Sequence, residues 1–237
     1  MFPDEIVTPR LRLRPLSREE VDPLAAYDYF AASRSDTIEE ETKYVTWGPH
    51  KTPKEAYDYF SEASEAHENA EGATYAIFPR EGEAGAGELA GTAGFGTDWD
   101  KRRAVFGMWL RKEFWGRGYS GERAAAFFAA VFDVLDLEVA LAYAMPENEP
   151  SCRAISKYTE RFGGDEIGTF RNDAIDADGT PRDVRGWAVT REQWYEATGG
   201  EYDAEFHWAG DDRLECDGGV EAGDRFERRD PLEADDE

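Results

Sequence analysis

The sequence predicts an α+β fold in which a mixed, largely antiparallel sheet of six or seven strands carries helices on both faces. Three observations lead to this prediction. Apolar runs at 73–79, 89–99 and 104–110 follow one another with only turns between them, which is typical of an antiparallel meander. Two segments with apolar residues at helical spacing precede the meander. Strand-like and helix-like segments alternate after it.

The chain before the meander is predicted to form one strand and two helices. Arg and Leu alternate over 10–16, and this period of two indicates a strand with one apolar face. Ser17 opens a capping box for a helix over 17–32. Pro53 stands at the first position of a second helix over 52–70, where its missing N–H costs nothing.

The chain after the meander is predicted to add two helices and three strands. A helix over 120–135 leads to an apolar strand over 137–145, and a second helix covers 151–162. Segments 165–173 and 184–192 are predicted to form a closing hairpin. The DADG sequence between them lacks the ligand positions of a calcium loop, so we expect a plain turn.

Charge divides the chain into a domain over 1–194 and an acidic extension over 195–237. The chain carries 52 Asp and Glu against 27 Lys and Arg, for a net charge of −25. The extension alone holds 16 acidic residues and four arginines, so we expect it to be partly ordered or disordered. Such acidity argues against binding to nucleic acid or anionic membranes. Abundant carboxylates with few lysines favour the cytosol of a salt-loving organism.

Signals for other classes of protein are not found in the sequence. The N-terminal segment has no basic-then-apolar signal pattern, and no run approaches the roughly 18 apolar residues of a membrane span. The two cysteines and three histidines are widely separated and have no ligand spacing. We therefore expect a cytoplasmic protein without a bound metal.

The glycine-rich stretch FWGRGYSGE over 114–122 lies between a predicted strand and a predicted helix. Such a turn exposes main-chain N–H groups and is typical of phosphate binding. Its GxGxxG spacing matches the dinucleotide-binding fingerprint, but it follows a meander and no second βαβ unit comes after it. A Walker A loop is excluded because the GK[ST] sequence is absent. A tight turn without any ligand is the remaining structural alternative.

A family resemblance favours a phosphate ligand other than a dinucleotide. Trp115–Ser120 resembles the acyl-CoA loop W-G-x-G-Y-[A/S] of the ribosomal-protein-alanine branch of the GNAT N-acetyltransferases. Segments 8–24, 44–60 and 184–194 resemble the same branch. Asn148, Ser151 and Arg153 fit its N-x-x-S-x-R motif. Together these stretches cover about residues 6 to 194.

The resemblance implies an N-acetyltransferase that uses acetyl-CoA, with a splayed central strand pair in the sheet. CoA would contact the glycine loop and the strand before it, at Met108, Trp109, Leu110, Trp115, Gly116, Arg117, Gly118, Tyr119, Ser120 and Gly121. Apart from the resemblance, the positive charges of Arg117 and Arg123 are expected near the CoA phosphates. The acceptor would be a protein N-terminal amine or a small amine, attacking the thioester directly in a monomer or homodimer. A non-catalytic acyl-CoA-binding module is the alternative.

The resemblance also implies four further site residues. Ser151 would give a proton to the CoA thiolate, and Asn148 would position Ser151 and the pantetheine arm. Helix capping is the alternative role for both, because Asn and Ser are common at helix starts. Trp47 and His50 lie in the segment that resembles the border of the acceptor site.

Overall fold

The computed structural model describes residues 1–208, and their centre is a single nine-stranded sheet. The strands are β1 (Glu5–Val7), β2 (Leu11–Pro15), β3 (Gly72–Pro79), β4 (Gly91–Asp98), β5 (Arg103–Leu110), β6 (Val139–Ala144), β7 (Asp165–Ile175), β8 (Pro181–Thr190) and β9 (Glu205–His207). Their spatial order is β7-β8-β6-β5-β4-β3-β2-β1-β9, and only β5 and β6 pair in parallel. The predicted fold class is confirmed, with nine strands in place of six or seven.

Helices cover both faces of this sheet. They are α1 (Pro23–Phe30), α2 (Ile38–Glu41), α3 (Pro53–Glu68), α4 (Tyr119–Ala129), α5 (Glu149–Arg161) and α6 (Arg191–Thr198). On β5, Phe106 packs with Phe127 of α4, whereas Trp109 packs with Phe30 of α1. Side chains three apart on a strand point to opposite faces, so the two helix layers are separate. No helix within residues 1–208 is long and apolar enough to cross a membrane.

Glycines allow the strands of the meander to approach closely. A Cβ atom on Gly91 would lie 2.2 Å from the carbonyl oxygen of Trp109, and one on Gly94 would lie 2.5 Å from that of Ala73. Neither position tolerates a side chain unless the backbone shifts. Glycine at these positions therefore permits the close approach of the neighbouring strands.

The first helix begins later than the sequence predicted. N–H of Glu20 donates to Oγ of Ser17 over 3.3 Å, but helix α1 starts only at Pro23. The side chain of Asp22 caps it by accepting from N–H of Leu24 at 2.9 Å. A proline disfavours helical geometry in the residue before it and fits the first helical position, so it sets this boundary.

Four short elements, β1, α2, α6 and β9, were not predicted. The predicted domain boundary at 194 falls inside α6, whose N-terminus carries a capping box between Thr190 and Gln193. Strand β9 then pairs with β1, with Phe206 opposite Ile6. The sheet therefore includes residues up to His207, and residues 209–237 of the predicted acidic extension lie outside the described residues.

Candidate active site

A slot opens between the two parallel strands at the centre of the sheet. β5 pairs with β6 from Arg103 to Phe106, opposite Val139 to Ala142, and the pairing ends there. β5 nevertheless continues to Leu110 and remains paired with β4 along its whole length. The slot is thus flanked by a continuous strand on one side and by the end of β6 on the other, as the predicted splayed pair requires.

The main chain of β5 turns two residues toward this slot. N–H of Arg111 donates to the carbonyl of Ala90 at 2.9 Å, so the odd-numbered residues of β5 direct their polar main-chain groups to β4. The even-numbered residues direct theirs to the β6 side, and beyond Phe106 these are Met108 and Leu110. The carbonyl of Leu110 accepts from the indole nitrogen of Trp115 at 2.8 Å.

The glycine loop lies at the open end of the slot, where β5 leads into α4. Gly116 and Gly118 have φ of 74° and 81°, a left-handed conformation that glycine adopts without strain. Gly118 is the N-cap of α4, and no side chain caps that N-terminus. Added Cβ atoms at Gly116 and Gly121 would meet nothing within 4 Å. The loop therefore presents uncapped N–H groups in open space, which suits a phosphate group.

Arg10, directly before β2, holds the loop in place, although sequence reasoning did not single it out. Its Nε donates to Oε2 of Glu122 at 2.7 Å, and its Nη1 donates to the carbonyl of Arg117 at 2.9 Å. The hydroxyl of Thr8 donates to Oε1 of the same glutamate at 2.6 Å. Glu122 is the acidic residue in the first turn of α4, and these contacts offset its charge beside the anion-binding end of the helix.

Two predicted loop residues point their side chains inward. The guanidinium of Arg117 donates to the carbonyls of Ala84 at 2.6 Å and Glu113 at 2.8 Å, and these contacts stabilise the loop. Tyr119 is buried, and its hydroxyl donates to the carboxylate of Glu83 at 2.8 Å. These residues can therefore serve a ligand chiefly through their main-chain groups, as the half-buried Ser120 can.

Asn148 and Ser151 stand at the C-terminal end of β6, which forms the other wall of the slot. Asn148 is the N-cap of α5, and its Oδ1 accepts from N–H of Ser151 at 3.3 Å. Helix capping, the alternative role for Asn148, is therefore observed. It uses the main chain of Ser151 and leaves the half-buried hydroxyl for other partners, so capping and a chemical role are compatible.

Trp47 and His50 lie in an aromatic cluster on the α1 side of the sheet. The Trp47 ring lies 5.5 Å from that of Trp109, and the His50 ring stacks on Phe30 at 5.1 Å. Burial lowers the pKa of His50, and the charge of Glu55 partly opposes the shift. A cleft of about 440 Å³ beside them is lined by Ala32, Ser33, Pro49, His50 and Lys51.

The Trp109 side chain is buried in this aromatic cluster, and its main chain faces β4. Of the residues predicted on this strand, only its neighbours Met108 and Leu110 therefore face the slot.

Glu41 is a second residue that the sequence did not single out. It is 7% exposed, and its Oε1 accepts from N–H of Lys112 and from the hydroxyl of Thr37, both at 2.7 Å. Its other oxygen is buried without a hydrogen-bond partner. It lines a cleft of about 600 Å³ between α1, α2 and the end of β5. With 52 carboxylates in the chain, no sequence signal distinguishes this one.

Arg123 does not lie where the sequence suggested. It was expected near the CoA phosphates, but it is 2% exposed and its guanidinium lies over the rings of Phe127 and Phe106. It projects from the second turn of α4 into the core, because the position after Glu122 faces the sheet. Direct contact with a phosphate at the loop is thereby excluded.

Metal and thiol chemistry find no support in the described part of the chain. Residues 1–208 contain no group of three or more His, Cys, Asp or Glu placed to hold a metal ion. Cys152 is buried beside Ser151, and burial is the main cause that raises the pKa of its thiol. A buried thiol with a raised pKa is a poor nucleophile.

Known proteins resemble this chain in sequence and in fold. A family model described as an acetyltransferase (GNAT) domain matches residues 10–158. The uncharacterized N-acetyltransferase p20 of Bacillus licheniformis is 28% identical over 154 residues, which are 65% of this chain and 80% of that protein.

Two solved structures show the same fold. The Microcin C7 self-immunity acetyltransferase MccE, in complex with acetyl-CoA and AMP, has a TM-score of 0.64 and 14% identity, covering 77% of this chain and 93% of its own. The ribosomal L7/L12 alpha-N-protein acetyltransferase RimL has a TM-score of 0.61 and 18% identity, covering 78% and 92%. The family match includes the slot, the glycine loop and the start of α5. The chain therefore belongs to the GNAT acetyltransferase family and is an acetyl-CoA-dependent N-acetyltransferase.

Proposed function

We propose that this protein moves the acetyl group of acetyl-CoA to a primary amine, either a protein N-terminus or a small amine, by direct attack on the thioester. The observation that carries the proposal is the slot between β5 and β6 with the glycine loop at its open end. A tight turn alone would explain the loop, but it would not explain why β5 continues for four residues without its parallel partner.

Acetyl-CoA, the acetyl donor, fits the glycine loop at one end and the slot at the other. The N–H groups of the first turn of α4, together with Gly116 and Gly118, would bind the pyrophosphate through hydrogen bonds and the helix dipole. The pantetheine arm would lie in the slot and pair with the main-chain groups of Met108 and Leu110, as a short extra strand does. Trp115 is 43% exposed and would border the mouth of the slot beside Leu110.

The reaction requires three events, which we assign to the following groups. The neutral amine nitrogen forms a bond to the thioester carbon, the carbon–sulfur bond breaks, and the sulfur leaves as a thiolate. N–H groups of β5 that face the slot stabilise the oxyanion of the tetrahedral intermediate. The hydroxyl of Ser151 donates its proton to the thiolate, while Asn148 holds the first turn of α5 and so positions Ser151. The ammonium group of the acceptor loses one proton to solvent before the attack, and the second proton that the nitrogen loses as the amide forms restores the hydroxyl of Ser151.

The acceptor would approach from the side of Trp47 and His50. Their cluster packs against Trp109, so it lies directly behind the strand that flanks the slot. The acidic surface favours a cationic acceptor by electrostatic attraction. RimL, described as acting on the N-terminal amine of a ribosomal protein, supports the protein N-terminus as acceptor and a place in the ribosomal-protein branch.

The cellular setting rests on composition. The net charge of −25 and the low lysine content support a cytoplasmic protein of a salt-accumulating organism, acting as a monomer or homodimer.

Acetyl transfer can be tested with the full chain. We would measure CoA affinity by calorimetry, then thiol release from acetyl-CoA with peptides that begin with alanine or serine and with polyamines. We expect thiol release with at least one acceptor, together with a mass increase of one acetyl group on that acceptor. Tight CoA binding without thiol release on any acceptor would contradict the transfer reaction and favour a non-catalytic acyl-CoA-binding module.

A further inference from the structure

Arg123 is a cation enclosed in the core without an anionic partner. Its guanidinium carbon lies 5.1 Å from the centre of the Phe127 ring and 5.8 Å from that of Phe106. Its Nε and Nη1 have no hydrogen-bond partner, and among residues 1–208 no carboxylate forms an ion pair with it. A guanidinium remains charged in proteins, so the fold keeps a desolvated positive charge that nothing in the resting protein neutralises.

The surroundings of Arg123 confirm that this charge is not balanced from a neighbouring element. From β5 it meets the Phe106 ring and the thioether of Met108, and from its own helix it meets Phe127. From α5 the ionisable side chain that faces it is Tyr158. Burial raises the pKa of Tyr158, so this phenol is neutral at physiological pH and supplies no negative charge.

The guanidinium lies beneath the point where β5 and β6 part. Phe106, whose ring it covers, is the last residue of β5 that pairs with β6. Its Nη2 lies 3.6 Å from the sulfur of Met108, the first residue whose main chain faces the slot. The unpaired nitrogens of Arg123 are therefore buried on the α4 side of the closed end of the slot, behind the side chains of Phe106 and Met108.

The closed end of the slot is where the thioester would lie, and this step rests on the proposed function. With the pyrophosphate at the start of α4, the pantetheine arm runs back along β5 from Leu110 toward Phe106. The four steps along β5 from Leu110 to Phe106 span about 13 Å, at roughly 3.3 Å per residue. The sulfur is the far end of the arm, so it reaches the region of Met108 and Phe106.

We propose that Arg123, through its buried positive charge, stabilises the negative charge that appears on the CoA sulfur. When the tetrahedral intermediate collapses, the electrons of the carbon–sulfur bond move onto sulfur. Arg123 neither gives nor takes a proton in this step. Its charge stabilises the thiolate until Ser151 transfers a proton to the sulfur. A preformed cation in a dry site stabilises an anion effectively because the site needs no reorganisation.

The thiol of bound CoA tests this proposal without knowledge of the acceptor. We would titrate the wild-type complex with CoA and follow the ultraviolet absorbance of the thiolate. A positive charge within about 4–6 Å is expected to lower the thiol pKa by roughly 1–3 units relative to free CoA. Arg123→Met should abolish this shift and Arg123→Lys should retain part of it. Arg161→Met, which removes an exposed arginine from the last turn of α5, is the matched control and should keep the full shift.

The remaining outcomes separate the two proposals. Arg123→Met removes an unpaired buried charge, so its melting temperature should equal or exceed that of the wild type. A wild-type protein that does not bind CoA would overturn the proposed function. CoA binding with an unshifted thiol pKa, or with the same shift in Arg123→Met, would overturn the role of Arg123 alone. Faster use of succinyl-CoA than of acetyl-CoA, lost in Arg123→Met, would also overturn it, because the cation would then be a receptor for an acyl carboxylate.

Discussion

Arg10 and Glu122, 112 residues apart in the sequence, form an ion pair in which Nε lies 2.7 Å from Oε2. The same guanidinium donates to the carbonyl of Arg117 in the glycine loop. The pair therefore fastens the start of α4 and the loop before it to the segment that leads into strand β2. A loop that is already held in its binding conformation loses less entropy when it binds a ligand.

Arg10→Met should weaken CoA binding while the fold persists. We expect the Kd for CoA to rise by roughly threefold to tenfold, which corresponds to about 0.7–1.4 kcal/mol, because the loop is no longer held. Calorimetry with CoA is the measurement. Arg12→Met, two residues further along on β2, removes an ion pair with Glu5 instead and should leave the Kd unchanged. Equal weakening in both variants would contradict a specific role for Arg10.

Gly118→Val should weaken CoA binding more strongly. The residue has a φ of 81°, which a β-branched side chain adopts only with strain, and its N–H belongs to the predicted pyrophosphate site. We expect the Kd to rise about tenfold or more. Gly199→Val is the matched control, because Gly199 has a φ of 66° at the end of α6, away from the loop. An unchanged Kd in Gly118→Val would falsify the pyrophosphate assignment.

Ser151→Ala should lower kcat by about 10²-fold with little effect on the affinity for acetyl-CoA, since a general acid acts only as the thiolate departs. The N–H that reaches Asn148 is retained in this variant, so the cap and the stability should persist. Ser156→Ala on the same helix removes a hydroxyl that bonds Glu160 and should leave kcat unchanged. If Ser151→Ala matches the wild-type kcat, the residue serves the helix cap alone.

The burial of His50 should make stability depend on pH. Because its pKa in the folded protein is lowered below the ordinary value of 6.5, the unfolded chain binds the proton more readily. This contribution to stability is complete above pH 6.5 and is lost as the pH falls toward the lower, folded-state pKa. The melting temperature of His50→Phe should drop less between neutral pH and about pH 5 than that of the wild type. An identical drop in both proteins would contradict a contribution of His50 to the pH dependence of stability. The pKa of His67 is also lowered by burial, and this residue contributes equally to the wild type and to the variant.

Salt should stabilise the protein. At a net charge of −25, carboxylates repel one another across the surface, and the Debye length falls from about 10 Å at 0.1 M to about 3 Å at 1 M salt. We expect the melting temperature to rise as KCl increases over this range. A melting temperature that falls with KCl would oppose both this prediction and the proposed salt-rich setting.

Several elements could be predicted because their signals are local. Pro53 begins α3 as expected, and the glycine-containing turn at 116–118 lies between β5 and α4. The start of α1 was predicted wrongly, since the Ser17 capping box forms its contact while Pro23 and Asp22 determine where the helix starts. β1 and β9 are three residues each and carry no period of their own, so only tertiary pairing makes them strands: β1 pairs with β2 and with β9.

By itself, the sequence determined the chain order of the longer strands and helices, the glycine loop at a helix start and the Asn148 cap, because backbone conformation and capping depend on residues close together in the chain. Only the tertiary structure decided that β5 and β6 part after Phe106, that Arg10 reaches Glu122 and that Arg123 is buried beneath the slot. Each of these depends on segments distant in sequence that pack together, and on which face of α4 turns toward the sheet. Arg117 and Arg123 look alike in the sequence, but one fastens a surface loop and the other holds its charge in the core.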